Sequence, residues 1–115
     1  MNRRIAPLLL VPGLLAGCIL DTPSSGNATQ YICADGAQIA ALYGKEGDQD
    51  NVILSYRGET YHLLQEMSGS GVRYGWPSDG SNYVWWTKGD SATLYWKDGT
   101  NGGAESVLHA DCMAQ

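Results

Sequence analysis

The sequence predicts an all-β domain, a small eight-stranded antiparallel barrel closed by one disulfide. Three observations carry that reading. Short runs rich in Val, Ile, Tyr, Trp and Thr recur along the chain, several with apolar residues at every second position. Clusters of Gly, Asp, Asn and Ser separate them. No segment holds a helical period for the length of an ordinary helix, and Gln38–Leu42 is the only ambiguous piece.

The first strand is expected at Tyr31–Cys33 and the second at Gln38–Tyr43. Gly47-Asp48-Gln49-Asp50-Asn51 then reads as a turn before Val52–Arg57, where Val52, Leu54 and Tyr56 alternate with residues bound for the other face. Arg57-Gly58 turns the chain into Thr60–Met67. A short fifth strand, Val72–Trp76, ends at Ser78-Asp79-Gly80-Ser81. Tyr83–Lys88 and Ala92–Lys97 alternate through Tyr83 and Trp85 and through Leu94 and Trp96, with Lys88-Gly89-Asp90 between them. The run Asp98-Gly99-Thr100-Asn101-Gly102-Gly103 leads to the last strand, Ser106–Cys112. Gly supplies the positive φ such turns need, and Asn or Asp tolerates it.

Eight short, closely spaced strands favour closure into a barrel, which leaves no unpaired edge. A β-sandwich fits the same pattern. At about eight strands a barrel interior is filled by side chains or holds one small ligand, and so short a barrel leaves little room for a carried molecule.

The chain's opening addresses it elsewhere. Met1-Asn2-Arg3-Arg4 is basic, and the apolar run from Ile5 to Ala16 is broken by Pro7 and Pro12. That run is shorter than the roughly 20 apolar residues of a membrane-spanning helix and fits a secretory signal peptide. It ends Leu15-Ala16-Gly17-Cys18, which resembles the lipobox of bacterial lipoproteins position for position. The resemblance implies cleavage before Cys18 and acylation of that cysteine with fatty acids such as palmitate. Ile19 follows where an aspartate would retain a lipoprotein in the inner membrane, so the outer membrane is expected, with the domain in the periplasm. Residues 1–17 are thus read as signal peptide, 18–29 as lipidated cysteine and flexible tether, and 30–115 as the folded domain.

With Cys18 acylated, Cys33 and Cys112 remain, one near each end of the domain. A secreted setting favours a disulfide, which would stabilise so long a loop by about 4 kcal/mol. A metal site is the rival, but His62 and His109 show no ligand spacing with either cysteine. No cofactor is expected.

Seven Lys and Arg oppose twelve Asp and Glu, and losing Arg3 and Arg4 leaves five against twelve, a net charge of −7. Such a domain does not seek nucleic acid or an anionic membrane surface, and it is drawn to basic proteins. The same acidity also serves solubility.

Two stretches carry the functional signal: Ser70-Gly71-Val72-Arg73-Tyr74 and Trp86-Thr87-Lys88-Gly89-Asp90-Ser91-Ala92-Thr93-Leu94. Each sets a polar or cationic residue beside a glycine at the end of a strand. Together they resemble the motifs of the MliC/PliC family, membrane-bound lipoprotein inhibitors of C-type lysozyme, over roughly Ser70 to Leu94. The cysteines and strand count extend a looser likeness from Tyr31 to Cys112. The resemblance implies an eight-stranded barrel, a C-type lysozyme as partner, and insertion of Ser70 and Lys88 into the enzyme's cleft. It further implies that Gly71 and Gly89 permit close approach, and that Tyr74 packs beneath its loop. The family's first motif usually has alanine before the serine, whereas this chain has Gly69.

Taken alone, Ser-Gly is a common turn pair and Lys-Gly-Asp a common hairpin tip; the weight rests on both together. The alternative is a lipoprotein that binds peptidoglycan or another glycan through exposed Trp76, Trp85, Trp86 or Trp96. A core without Phe must also draw on Trp and Tyr, and alternation sends Trp85 and Trp86 to opposite faces. Enzymatic activity is the least supported class: no nucleophile elbow surrounds Ser70, and no phosphate loop or metal cluster is present. Pairing with a second copy is left open.

Overall fold

The computed structural model describes residues 27–115. The signal peptide, Cys18 and most of the tether lie outside them. Eight strands follow one another in a closed antiparallel barrel with nearest-neighbour order throughout. They are β1 (Thr29–Ile32), β2 (Gln38–Glu46), β3 (Gln49–Tyr56), β4 (Glu59–Glu66), β5 (Val72–Gly75), β6 (Asn82–Lys88), β7 (Ser91–Asp98) and β8 (Ala104–Ala114). Closure is made by β1 against β8, where Tyr31 pairs with Ala114 and Ile32 with Met113. The sandwich alternative is thereby removed.

Each expected strand is present, and the differences lie at their ends. The turn expected over residues 47–51 shrinks to Gly47-Asp48, because Asp50 and Asn51 pair across to Lys45 and Gly44. One side-chain contact supports the longer hairpin, with Lys45 Nζ 2.7 Å from Asp50, and His62 Nε2 on β4 lies 3.0 Å from both the Asn51 amide and the Glu46 carboxylate. The ambiguous Gln38–Leu42 is strand, held between β1 and β3. β1 begins at Thr29, one residue inside the segment read as tether. A short 3-10 turn, Gly99–Asn101, precedes β8, and Asp98 caps it by accepting from the Thr100 amide.

Inward positions form the core: Tyr31, Ile39, Ala41, Val52, Leu54, Leu63, Trp85 and Leu94 are buried. Tyr31 meets Trp85 edge to face at 5.0 Å, a favourable aromatic geometry. Side chains fill this interior, as expected for eight strands. Cys33 and Cys112 are bonded across 79 residues, so their sulfurs serve each other.

β5 is short, with a consequence for the wall. It pairs with β4 only at Leu64–Glu66 and with β6 only at Trp85–Thr87. Past Gly75 the chain leaves the sheet at Trp76. Residues 61–63 of β4 and 82–84 of β6 therefore face one another with no strand between.

Candidate functional site

The up-and-down order sends the β2–β3, β4–β5 and β6–β7 connections to one end of the barrel. Ser70 lies in the β4–β5 segment, two residues before β5, and Lys88 is the last residue of β6. Val72 pairs with Thr87, so the next residues outward, Gly71 and Lys88, lie side by side. The two stretches singled out in sequence thus meet at one rim, with Ser70, Lys88 and Gly89 all exposed.

Trp86 holds them together. Its indole N–H donates to the Ser70 carbonyl at 2.8 Å. Lys88 Nζ sits 4.9 Å from its ring centroid on the same strand, and the Arg73 guanidinium 5.4 Å away from β5. Both distances fall within cation–π range. Arg73 is itself fixed: its Nε donates to Glu66 at 2.6 Å and its terminal nitrogen to Glu105 of β8. The Glu105 and Glu66 carboxylates hold the guanidinium still more firmly protonated, against the pull of partial burial. Lys88, by contrast, has no carboxylate partner among the described residues.

The glycines do different work. Gly71 has φ +65, and a Cβ there would collide with the Thr87 carbonyl oxygen and lie 2.7 Å from Lys88 Cγ. It permits contact between the loop and β6. Gly89 has φ +60 with open space around it, so it serves the two-residue turn Gly89-Asp90, which Ser91 Oγ closes by donating to the Lys88 carbonyl at 3.0 Å. Ser68 Oγ donates to the Gly71 carbonyl at 3.1 Å from the loop's other side.

Tyr74 is buried in the barrel core, its ring 5.8 Å from that of Tyr43. Burial foremost, then the Asp50 charge, pushes its phenol up. Trp85 is fully buried and donates to the Tyr43 hydroxyl at 3.0 Å, whereas Trp86 lies on the outer face. Sequence reasoning placed Ser70, Lys88 and Tyr74 but assigned no role to Arg73, Glu66 or Glu105. A sequence signal existed for Arg73 alone: two strands joined as a hairpin set it across from Trp86.

Beside the Ser70 loop runs an acidic groove lined by Glu46, Asp48, Asp50 and Glu66, with Met67 almost fully exposed (96%) at its edge. Among the described residues no group of three His, Cys, Asp or Glu side chains is placed to hold a metal ion, and no helix is long and apolar enough to cross a membrane.

Residues 31–102 match the family described as "Membrane-bound lysozyme-inhibitor of c-type lysozyme". The chain belongs to this family. Its members are inhibitors, not enzymes. A membrane-bound lysozyme inhibitor of C-type lysozyme from Escherichia coli K12 is 33% identical over 102 residues, covering 85% of this chain and 87% of the relative. A protein of the same description from Pseudomonas aeruginosa is 34% identical over 82 residues, covering 69% and 61%. Among solved structures, Pseudomonas aeruginosa MliC in complex with hen egg white lysozyme superposes with a TM-score of 0.54 at 23% identity. It covers 89% of this chain and 99% of that one, and the likeness extends the barrel fold to a structure of low sequence identity.

Proposed function

We propose that this protein inhibits C-type lysozyme by presenting Ser70 and Lys88 to the enzyme's catalytic cleft. The observation that carries the reading is their juxtaposition on one exposed rim, tied by the indole of Trp86. A C-type lysozyme cuts peptidoglycan with two carboxyl groups, one a general acid. A serine hydroxyl donates to a carboxylate or accepts from a protonated acid, so it suits either group. The Lys88 ammonium, without a carboxylate partner among the described residues, adds a charge-assisted hydrogen bond where water has been excluded. Gly71, Gly89 and Tyr74 shape and support the two loops. The acidic groove beside them faces a partner that is generally basic.

Membrane attachment follows from acylation at Cys18 in the outer membrane, with the barrel in the periplasm. The several acyl chains of such a cysteine contribute about 0.8 kcal/mol per buried methylene, enough for stable anchoring.

The test is hydrolysis of bacterial cell walls by a C-type lysozyme with added wild type or a Ser70→Ala, Lys88→Ala double variant. Inhibition by wild type that the double variant loses is expected. A folded, oxidised wild type that leaves hydrolysis untouched overturns the reading.

A further inference from the structure

The end of the barrel away from Ser70 and Lys88 carries a second concave feature. Where β5 stops, the gap between β4 and β6 opens as a slot of about 470 Å³ lined by Tyr61, His62, Trp76, Asn82, Tyr83 and Trp96. Tyr61 and Tyr83 meet inside it at 4.6 Å, and Trp96 stacks edge-on to Tyr83 at 5.0 Å, so the slot has an aromatic floor. Trp76, 41% exposed, stands beside the His62 ring at 6.1 Å. Asn82 brings an amide whose nitrogen and oxygen are both closed off from solvent without a hydrogen-bond partner among the described residues. Among the described residues no Asp, Glu, Lys or Arg lines the slot, and the His62 imidazole on its wall is paired with the Glu46 carboxylate at 3.0 Å. Asn82 and Lys88 lie at opposite ends of β6, about 20 Å apart at strand rise.

We propose that this slot binds a neutral glycan chain, independently of the lysozyme-facing rim. A pyranose ring has a flat C–H face that packs on aromatic rings, and its edge carries donors and acceptors side by side. The slot offers the complement: ring faces, the His62 imidazole and Trp76 indole on its wall, and the Asn82 amide, which meets a sugar hydroxyl by turning out of its closed position. With His62 already paired to Glu46 and no other cation or carboxylate on the lining, the slot favours a neutral ligand over an anion or a cation. An extended peptide would need room between the two strand edges, and the Tyr61–Tyr83 contact fills that space from within.

The test titrates the purified chain, without lysozyme, with the tetrasaccharide of N-acetylglucosamine, with cellotetraose and with an extended uncharged octapeptide. Tryptophan fluorescence and backbone amide shifts report binding. Saturation by either sugar at millimolar concentration or below is expected. Trp76→Ala and Asn82→Ala each weaken it at least fivefold, Trp76→Tyr retains part of it, and the Ser70→Ala, Lys88→Ala variant binds sugar as wild type does. Trp76 is a loop residue, so its variants keep the barrel, and unchanged lysozyme inhibition by Trp76→Ala verifies that the two sites are separate. No saturation by either sugar, sugar binding that survives both alanine variants, or preference for the peptide overturns the proposal.

Discussion

Gly71 is the residue on which the rim geometry turns. Its positive φ and the absence of a Cβ let the Ser70 loop lie against Thr87 and Lys88. Gly71→Ala is expected to push the loop off β6, lengthen the Trp86–Ser70 hydrogen bond and weaken inhibition tenfold or more in the cell-wall assay, while the barrel's β spectrum persists. Inhibition at wild-type strength would remove Gly71 from the site. Lys88 and Lys97 provide an internal comparison. Among the described residues Lys97 reaches only the Ser78 carbonyl, at 3.4 Å and at the far end. Lys88→Ala should therefore weaken inhibition more than Lys97→Ala, and equal losses would point to diffuse charge instead.

Two cross-links tie the barrel's elements beyond their ladders, and each predicts a measurable response. His109 of β8 bridges Asp35 in the β1–β2 loop, at 2.6 Å, and the Tyr56 hydroxyl of β3, at 2.7 Å. The Ala37 amide, then His109, holds the Asp35 carboxyl below its ordinary value. A carboxyl with a depressed folded pKa stabilises fully above its unfolded value of about 4 and loses that contribution as pH falls through the folded value. The melting temperature should fall below pH 4 more steeply in wild type than in Asp35→Asn; superimposable melting curves from pH 2 to 6 would sink the assignment. The disulfide closes a loop of 79 residues from the end of β1 to β8, which in the chain-entropy model amounts to about 4 kcal/mol. Reduction should lower the melting temperature by many degrees, and a melt unchanged by reductant would assign closure to the β1–β8 ladder alone.

At the scale of the whole molecule, net charge predicts steered encounter with a basic partner. Twelve acidic residues against seven basic give the full chain a net charge of −5, and several carboxylates line the groove beside the Ser70 loop. Raising salt from low to physiological strength should slow association with a basic lysozyme more than it speeds dissociation, since screening acts on long-range steering. Surface plasmon resonance across a salt series reads both rates, and an association rate indifferent to salt would remove steering. Closure also explains why four residues suffice for β5: a barrel strand is held on both sides, so a short one leaves a local slot instead of a frayed edge.

Alternation and turn chemistry determined the strands, because both are local. Val52, Leu54 and Tyr56 could bury one face only as a strand, and Gly89 could turn the chain whatever lay around it. The residue types and flanks at Ser70 and Lys88 singled out two stretches for the same reason, and the β5–β6 pairing brought them to one rim. The tertiary structure alone decided closure over a sandwich, since pairing β1 with β8 joins the chain's two ends. It alone brought Glu105 of β8 to Arg73 of β5, and so set the platform under Trp86. It also opened the slot at Asn82, because a missing stretch of strand is visible only when its would-be neighbours are in place. Contacts between residues far apart in sequence depend on register and closure, and no local pattern encodes either.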